Sequence, residues 1–317
     1  MSVFLLDSLV VFLFIEFVIL LLNSINQVIV LKILKYWDFN ASNTFQYSLE
    51  KKNYLVNTII TFTIGVKIIL FIFFVKSLDD LVSLVPGAMC ATGVIGANEY
   101  GNILLLFKIF ILFLLGVWMI INRLDLKSKE LKFLKKKYYL FTIVFIMICI
   151  EFILELAYFI NIPLTVPVFC CSVVFVVENL PFDLTTLDIV YIFYFIFVSI
   201  LVSNYYKKIS ISFILNILFL FVSYYSVTYF FGTYVYEEPN HKCPFCFLQA
   251  DYYYVGYLIW STLFVGIFFG ISPYIVYSIV EIKNKKLLQY NSIILTVFTV
   301  ICSSYVLFYY IKNGVFL

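Results

Sequence analysis

The sequence predicts an all-α, polytopic integral membrane protein of about eight transmembrane helices, on three observations. Hydrophobic residues make up 64% of the 317-residue chain and charged residues only 12%, about half the charged share of a soluble domain. The apolar runs are about 20 residues long, enough for a helix to cross roughly 30 Å of hydrocarbon, and the ten-residue alternation of an outer-membrane barrel is absent. Basic residues segregate by loop: segments 31–52, 123–138, 206–210 and 281–291 hold 16 of the 21 lysines and arginines. The alternate segments hold Lys76, Lys242 and Lys312, and Lys67 and Lys108 lie inside spans. Under the positive-inside rule, this pattern sets an orientation for every span.

The first span, about 5–30, carries Asp7, Glu16, Asn23 and Asn26 and lacks a basic start and a small-residue cleavage site. It reads as a retained helix and not a signal peptide. The second, 53–75, follows Lys51 and Lys52 and contains Lys67; the third, 102–122, contains Lys108 and ends at Arg123. The fourth, 138–160, follows the lysine run to Lys137 and contains Glu151 and Glu155. Spans five and six, 188–206 and 210–233, are separated only by Tyr205-Tyr206-Lys207-Lys208, with a re-entrant segment as the alternative. The seventh, 253–279, has Tyr252, Tyr253, Tyr254, Tyr257 and Trp260 at its start, an aromatic interface belt or the wall of a quinone pocket. The eighth runs over 292–312.

With the basic segments inside, both termini are expected to be extracytoplasmic, facing the periplasm or a lumen. The spans group as two tandem four-helix membrane units, 1–160 and 188–317, joined by an extracytoplasmic loop, 161–187. In each half a cysteine-bearing loop joins the second and third spans, and a basic loop follows the third.

The most distinctive chemistry is His241-Lys242-Cys243-Pro244-Phe245-Cys246, in a short polar loop before the seventh span. A Cys-x-x-Cys at a helix start is a redox pair, half of a metal site, or a static local disulfide. The expected helix start would let the positive end of the dipole favour a thiolate at Cys243, with Pro244 in the first turn. His241 and Lys242 add positive charge, and a thiolate is the form that exchanges with disulfides. A second loop, Pro86-Gly87-Ala88-Met89-Cys90-Ala91-Thr92-Gly93, is rich in small residues in a chain with eleven glycines. It presents Cys90 on the same expected side, where disulfides persist. In the redox reading Cys243 is the exposed nucleophile, Cys246 the resolving thiol and Cys90 their exchange partner. Alternatively, Met89, Cys90, His241, Cys243 and Cys246 form a soft donor set for copper or zinc. Vicinal Cys170 and Cys171 read as buried thiols or partners for other cysteines, a vicinal bridge being strained.

Glu16, Lys67, Lys108, Glu151 and Glu155 are ionisable residues inside spans, each costing roughly 2.5–3.5 kcal/mol at mid-bilayer on insertion scales. Glu151 and Glu155 are one turn apart on one helix face. Such groups mark proton, ion or substrate paths, or form a structural ion-pair knot. In the catalytic reading Lys67, Lys108, Glu151 and Glu155 handle protons or bind a quinone head group. Their depth, in the outer half of the spans or close to mid-depth, predicts one polar site shared with the cysteine loops.

Cys243-Pro244-Phe245-Cys246 at an outer helix start, with Cys90 in a preceding outer loop, resembles the quinone-coupled thiol oxidases of the disulfide bond formation B and vitamin K epoxide reductase families. It also resembles the four-helix subunits that support disulfide formation in methylamine dehydrogenase maturation. Those families carry two cysteine pairs, whereas this chain has one clear pair and a single Cys90. The resemblance implies a membrane thiol–disulfide oxidoreductase acting on an extracytoplasmic thiol protein. A soft-metal handling protein and a non-catalytic subunit or transporter remain the alternatives. No nucleotide loop, His-Glu-x-x-His motif or c-type haem site is present, and nothing points to nucleic acid.

Overall fold

The computed structural model describes residues 7–39, 41, 43–128, 130–168, 180 and 184–317. Among them there is no strand, and eight helices are long and apolar enough to span a membrane. The helices are α1 (Asp7–Tyr36), α2 (Thr44–Asp80), the short α3 (Ala91–Ile95), α4 (Glu99–Lys127) and α5 (Leu134–Ile160). They continue with α6 (Thr186–Tyr205), α7 (Ile209–Ser226), α8 (Gly232–Tyr236), α9 (Val255–Val280) and α10 (Lys286–Asn313). A π turn over Val227–Phe231 joins α7 to α8, so that the two make one span, Ile209–Tyr236.

The helices run past the apolar cores expected from hydropathy. At 1.5 Å per residue, the 37 residues of α2 reach about 55 Å, well beyond the hydrocarbon thickness. Its extra turns are polar and begin at a cap, Asn43, whose side chain accepts from the Gln46 N–H at 2.8 Å. The four-residue link between spans five and six is a true turn: Lys207 adopts φ 55°, and the Lys208 N–H reaches the Ser203 carbonyl at 3.0 Å. Capping is strongest at α6, where Thr185 and Asp188 form a reciprocal capping box.

The chain forms two compact units. The first comprises Met1–Pro86 and Val94–Pro167, the second Gly87–Gly93 and Val168–Leu317. In the first, α1 packs on α2 and α5, and α4 packs on α2 and α5. In the second, α6 packs on α7 and α10, and α9 packs on α7 and α10. Each unit therefore closes its four spans into a ring in chain order. Large apolar side chains such as Phe14, Ile69, Ile153, Phe195 and Ile293 point outward, while asparagines, glutamates and lysines are buried. That inverts the soluble pattern and suits a lipid surround.

The interior of the second unit is a neutral polar network. Asn204 donates to Asn291 Oδ1 at 2.6 Å, Ser212 to Asn204 Oδ1 at 2.7 Å, and Asn291 to Asn216 Oδ1 at 2.8 Å and to the Gly266 carbonyl at 2.7 Å. These bonds tie α6, α7, α9 and α10 together. Gly266 and Gly270, four apart on α9, permit the approach: a Cβ at Gly270 would lie 2.2 Å from the Asn216 carboxamide. This is the small-residue spacing that lets membrane helices pack closely.

Candidate functional site

Two polar centres emerge, one in each unit. The thiol centre lies in the second. Gly87, at φ 81°, makes a left-handed turn that suits glycine, and the segment then delivers Cys90 to the start of α3. From the other side, α8 ends at Glu237, in the left-handed region with φ 56°, and the chain turns into the loop carrying Cys243 and Cys246. The Tyr236 hydroxyl clamps that loop. It donates to the Cys243 carbonyl at 2.5 Å and accepts from the Phe247 N–H at 3.1 Å. Trp260 Nε1–H donates to the Pro244 carbonyl at 2.9 Å. The Phe247 ring lies 5.7 Å from Tyr236 and 6.0 Å from Trp260. It occupies space left by Gly256, where a Cβ would fall 2.3 Å from that ring.

The outcome brings Cys90, Cys243 and Cys246 together, with all three sulfurs within 4.8 Å of one another. Cys90 Sγ lies 3.6 Å and Thr92 Oγ1 3.3 Å from Cys243 Sγ. His241 stands beside them, its Nδ1 3.6 Å from Glu238 Oε2 and its ring 4.2 Å from Tyr236. The Cys243 sulfur raises the imidazole pKa, against the lowering effect of partial burial, with smaller help from Glu238 and Cys90. The largest influence is a loose hydrogen bond with the Cys243 side chain; at Nε2 no bond of regular geometry is made.

Two expectations are corrected here. The Cys-x-x-Cys does not open the seventh span. Cys246 starts a short 3₁₀ turn, Cys246–Leu248, a second covers Ala250–Tyr252, and α9 begins only at Val255. Tyr253 and Tyr254, both with positive φ, break the chain between turn and helix, so the dipole of the spanning helix does not act on Cys243. Nor is Cys243 an exposed nucleophile: it and Cys90 are fully buried, and Cys246 is 5% exposed, because the clamped loop folds back over them. Met89 is 67% exposed. Cys170 and Cys171 lie outside the described residues.

The charged centre lies wholly in the first unit. Lys67 donates to Glu16 Oε2 at 2.6 Å and to Glu151 Oε2 at 2.8 Å. Lys108 donates to Glu151 Oε1 at 2.9 Å, to Glu16 Oε1 at 3.5 Å, and to Glu155 Oε1. All five side chains are buried, and the Lys108 ammonium also faces the Phe12 and Phe74 rings at 5.1 and 4.9 Å. The four expected residues thus converge, with Glu16 as the fifth member. A cavity of about 10 Å³ opens between Glu16, Lys67, Lys108 and Glu151. That is about the room one water needs, and a quinone head group does not fit it. The charges belong to the first unit and the thiols to the second.

Sequence reasoning passed over Thr92, the Tyr236 clamp and the Asn204–Asn216–Asn291 network. Only the last had a readable signal, amides inside apolar spans beside the Gly266/Gly270 spacing. Trp260, read as interface belt, instead holds the thiol loop. Comparison with protein-family models, with curated proteins and with solved structures finds no match.

Proposed function

We propose that this chain is a membrane thiol–disulfide oxidoreductase whose exchange centre is Cys90, Cys243 and Cys246. The observation that carries the reading is the position of Cys243, whose sulfur is within reach of both other thiols. A disulfide can therefore move within the chain. With Cys90 and Cys243 bridged, the Cys246 thiolate attacks Cys243 Sγ. The 243–246 bond forms, the 90–243 bond breaks, and Cys90 leaves as a thiolate. A client dithiol then attacks Cys246, the least buried of the three, through a mixed disulfide. The client leaves as a disulfide, and its two electrons and two protons remain on Cys243 and Cys246. Orientation is part of the proposal. With the basic segments cytoplasmic, the thiol loops and both termini face outside, where disulfides persist and a thiol protein can meet them. The matching ring order of the two units supports a tandem repeat of a four-helix unit.

The test is to equilibrate the purified full chain in glutathione buffers and count thiols by alkylation mass shift. We expect two interconverting bridges, 243–246 and 90–243, with Cys246→Ser held in the second. A chain without a disulfide in any buffer would sink the proposal.

One observation favours a second reading. Three sulfurs lie within 4.8 Å of one another, and His241, whose Nε2 is buried without a regular hydrogen bond, neighbours Cys243; it stands outside that group and would have to close in to complete a one-nitrogen, three-sulfur zinc donor set. Soft sulfur also suits Cu(I). The 3.6 Å between Cys90 and Cys243 is close to the edge of a tetrahedral site with ~2.3 Å metal–sulfur bonds, about 3.8 Å. Stoichiometric metal in the reduced chain, lost in Cys90→Ser and His241→Gln, together with a lack of disulfide cycling, would decide for it.

A further inference from the structure

We infer that the charged centre of the first unit is a binding site for one exchangeable proton, carried by Glu155. The inference stands apart from the thiol chemistry and follows from a charge count and a hydrogen-bond count. Three carboxyls and two ammonium groups meet in one buried knot. Fully ionised, the knot would keep a net charge of minus one among apolar helices, where an uncompensated charge is strongly disfavoured. A single proton removes it.

The hydrogen bonds say which carboxyl takes that proton. Glu151 accepts at both oxygens, from Lys67 and from Lys108. Glu16 also accepts at both, from the same two lysines. Glu155 accepts only at Oε1, from Lys108, and its Oε2 is buried with no hydrogen-bond partner among the described residues. The anion with the fewest donors is the one least stabilised, so Glu155 is where protonation relieves most. The groups facing Glu155 are Glu16 from α1, Lys67 from α2, Lys108 from α4 and Glu151 one turn earlier on α5. Tyr158, the next titratable residue along α5, is committed elsewhere, donating to the Val94 carbonyl at 2.8 Å. A cavity sized for one water lies within the same knot, lined by Glu16, Lys67, Lys108 and Glu151 and not by Glu155 itself; Lys108, which lines it, donates to Glu155 and links the two. Uptake forms an O–H bond on Glu155 with a proton drawn from water, release reverses it, and no electron moves.

The test is infrared difference spectroscopy of the full chain in phosphatidylcholine vesicles, stepped between acidic and alkaline buffers in H₂O and D₂O. Wild type should show a deuterium-sensitive carboxylic-acid carbonyl band that is lost as pH rises. Glu155→Gln should lack the band yet melt at the wild-type temperature, because the remaining two carboxylates and two ammonium groups balance. Glu151→Gln, which strips a partner from both lysines, should melt lower. Absence of the band from wild type at every pH would overturn the inference, as would its persistence in Glu155→Gln. So would a melting loss in Glu155→Gln, including failure to fold, as large as in Glu151→Gln. A signal that follows sodium concentration and not pH would assign the site to a monovalent metal cation and equally overturn the proton.

Discussion

The two units close the same ring of four spans but fill it with opposite kinds of polarity. The first buries formal charge, with three glutamates and two lysines in one knot and a second buried pair, Lys137–Asp125 at 2.7 Å. The second buries neutral amides and hydroxyls: within the Asn204, Ser212, Asn216 and Asn291 network each donor meets an acceptor, while the buried hydroxyls of Ser223, Ser226, Thr228 and Ser272 make no hydrogen bond among the described residues. A neutral network has one bonded arrangement and no spare charge, so it acts as a lock. A charged knot with unequal numbers of acids and bases has a spare proton site, so the interior of that unit responds to its surroundings. The thiol centre adds a further contrast: it is built on irregular loop held by side chains, whereas both other polar interiors sit on helices.

The sharpest way to break this contrast is to remove one base from the charged knot. Lys108→Met leaves three carboxyl groups, one of them protonated, with a single ammonium, and breaking a buried pair costs about 3–5 kcal/mol. The expected outcome is a large fall in melting temperature of the purified chain in detergent, or loss of folded protein. A mild effect would mean that the remaining carboxyls take up a further proton and restore neutrality. In the second unit, Gly270→Ala forces a methyl against the Asn216 carboxamide, an overpacking cost of roughly 1–3 kcal/mol, read by the same melt. Asn291→Ala removes two donated bonds from the network and should cost about 0.6–1.7 kcal/mol, the range for hydrogen bonds between membrane helices. Should Asn291→Ala prove more damaging than Lys108→Met, the neutral lock would be the stronger of the two interiors. The smallest effect on stability is expected from Trp260→Phe, which loses one bond to the Pro244 carbonyl, worth about 0.5–1.5 kcal/mol. Its signature is local: alkylation of Cys243 by a small reagent should speed up, while the melting temperature hardly moves.

The spans were legible because hydropathy over twenty residues is a sum, insensitive to any one position. All eight expected runs fall on the eight long helices, with differences only at the ends. Polar ends such as the first turns of α2 escaped, since nothing apolar marks them and a cap decides where they begin. The intramembrane charges were legible as a set, because Glu16, Lys67, Lys108, Glu151 and Glu155 are each too costly to face lipid. Which carboxyl lacks a donor was not, since that depends on distances between four helices. The cysteine loops were legible as partners, but the helix start at Cys243 was not real. Tyr253 and Tyr254 adopt positive φ without a glycine to announce it.

By itself the sequence determined a multi-pass helical chain, with eight apolar runs and ionisable residues that must find one another inside them. Those properties depend on composition and length along the chain. Only the tertiary structure decided that charges and thiols fall into different units, that Cys243 is buried between two other sulfurs, and that one carboxylate oxygen of Glu155 is left without a donor. These are properties of ångström-scale contacts between segments far apart in the chain. Close packing sets such contacts one at a time, and no local pattern encodes them.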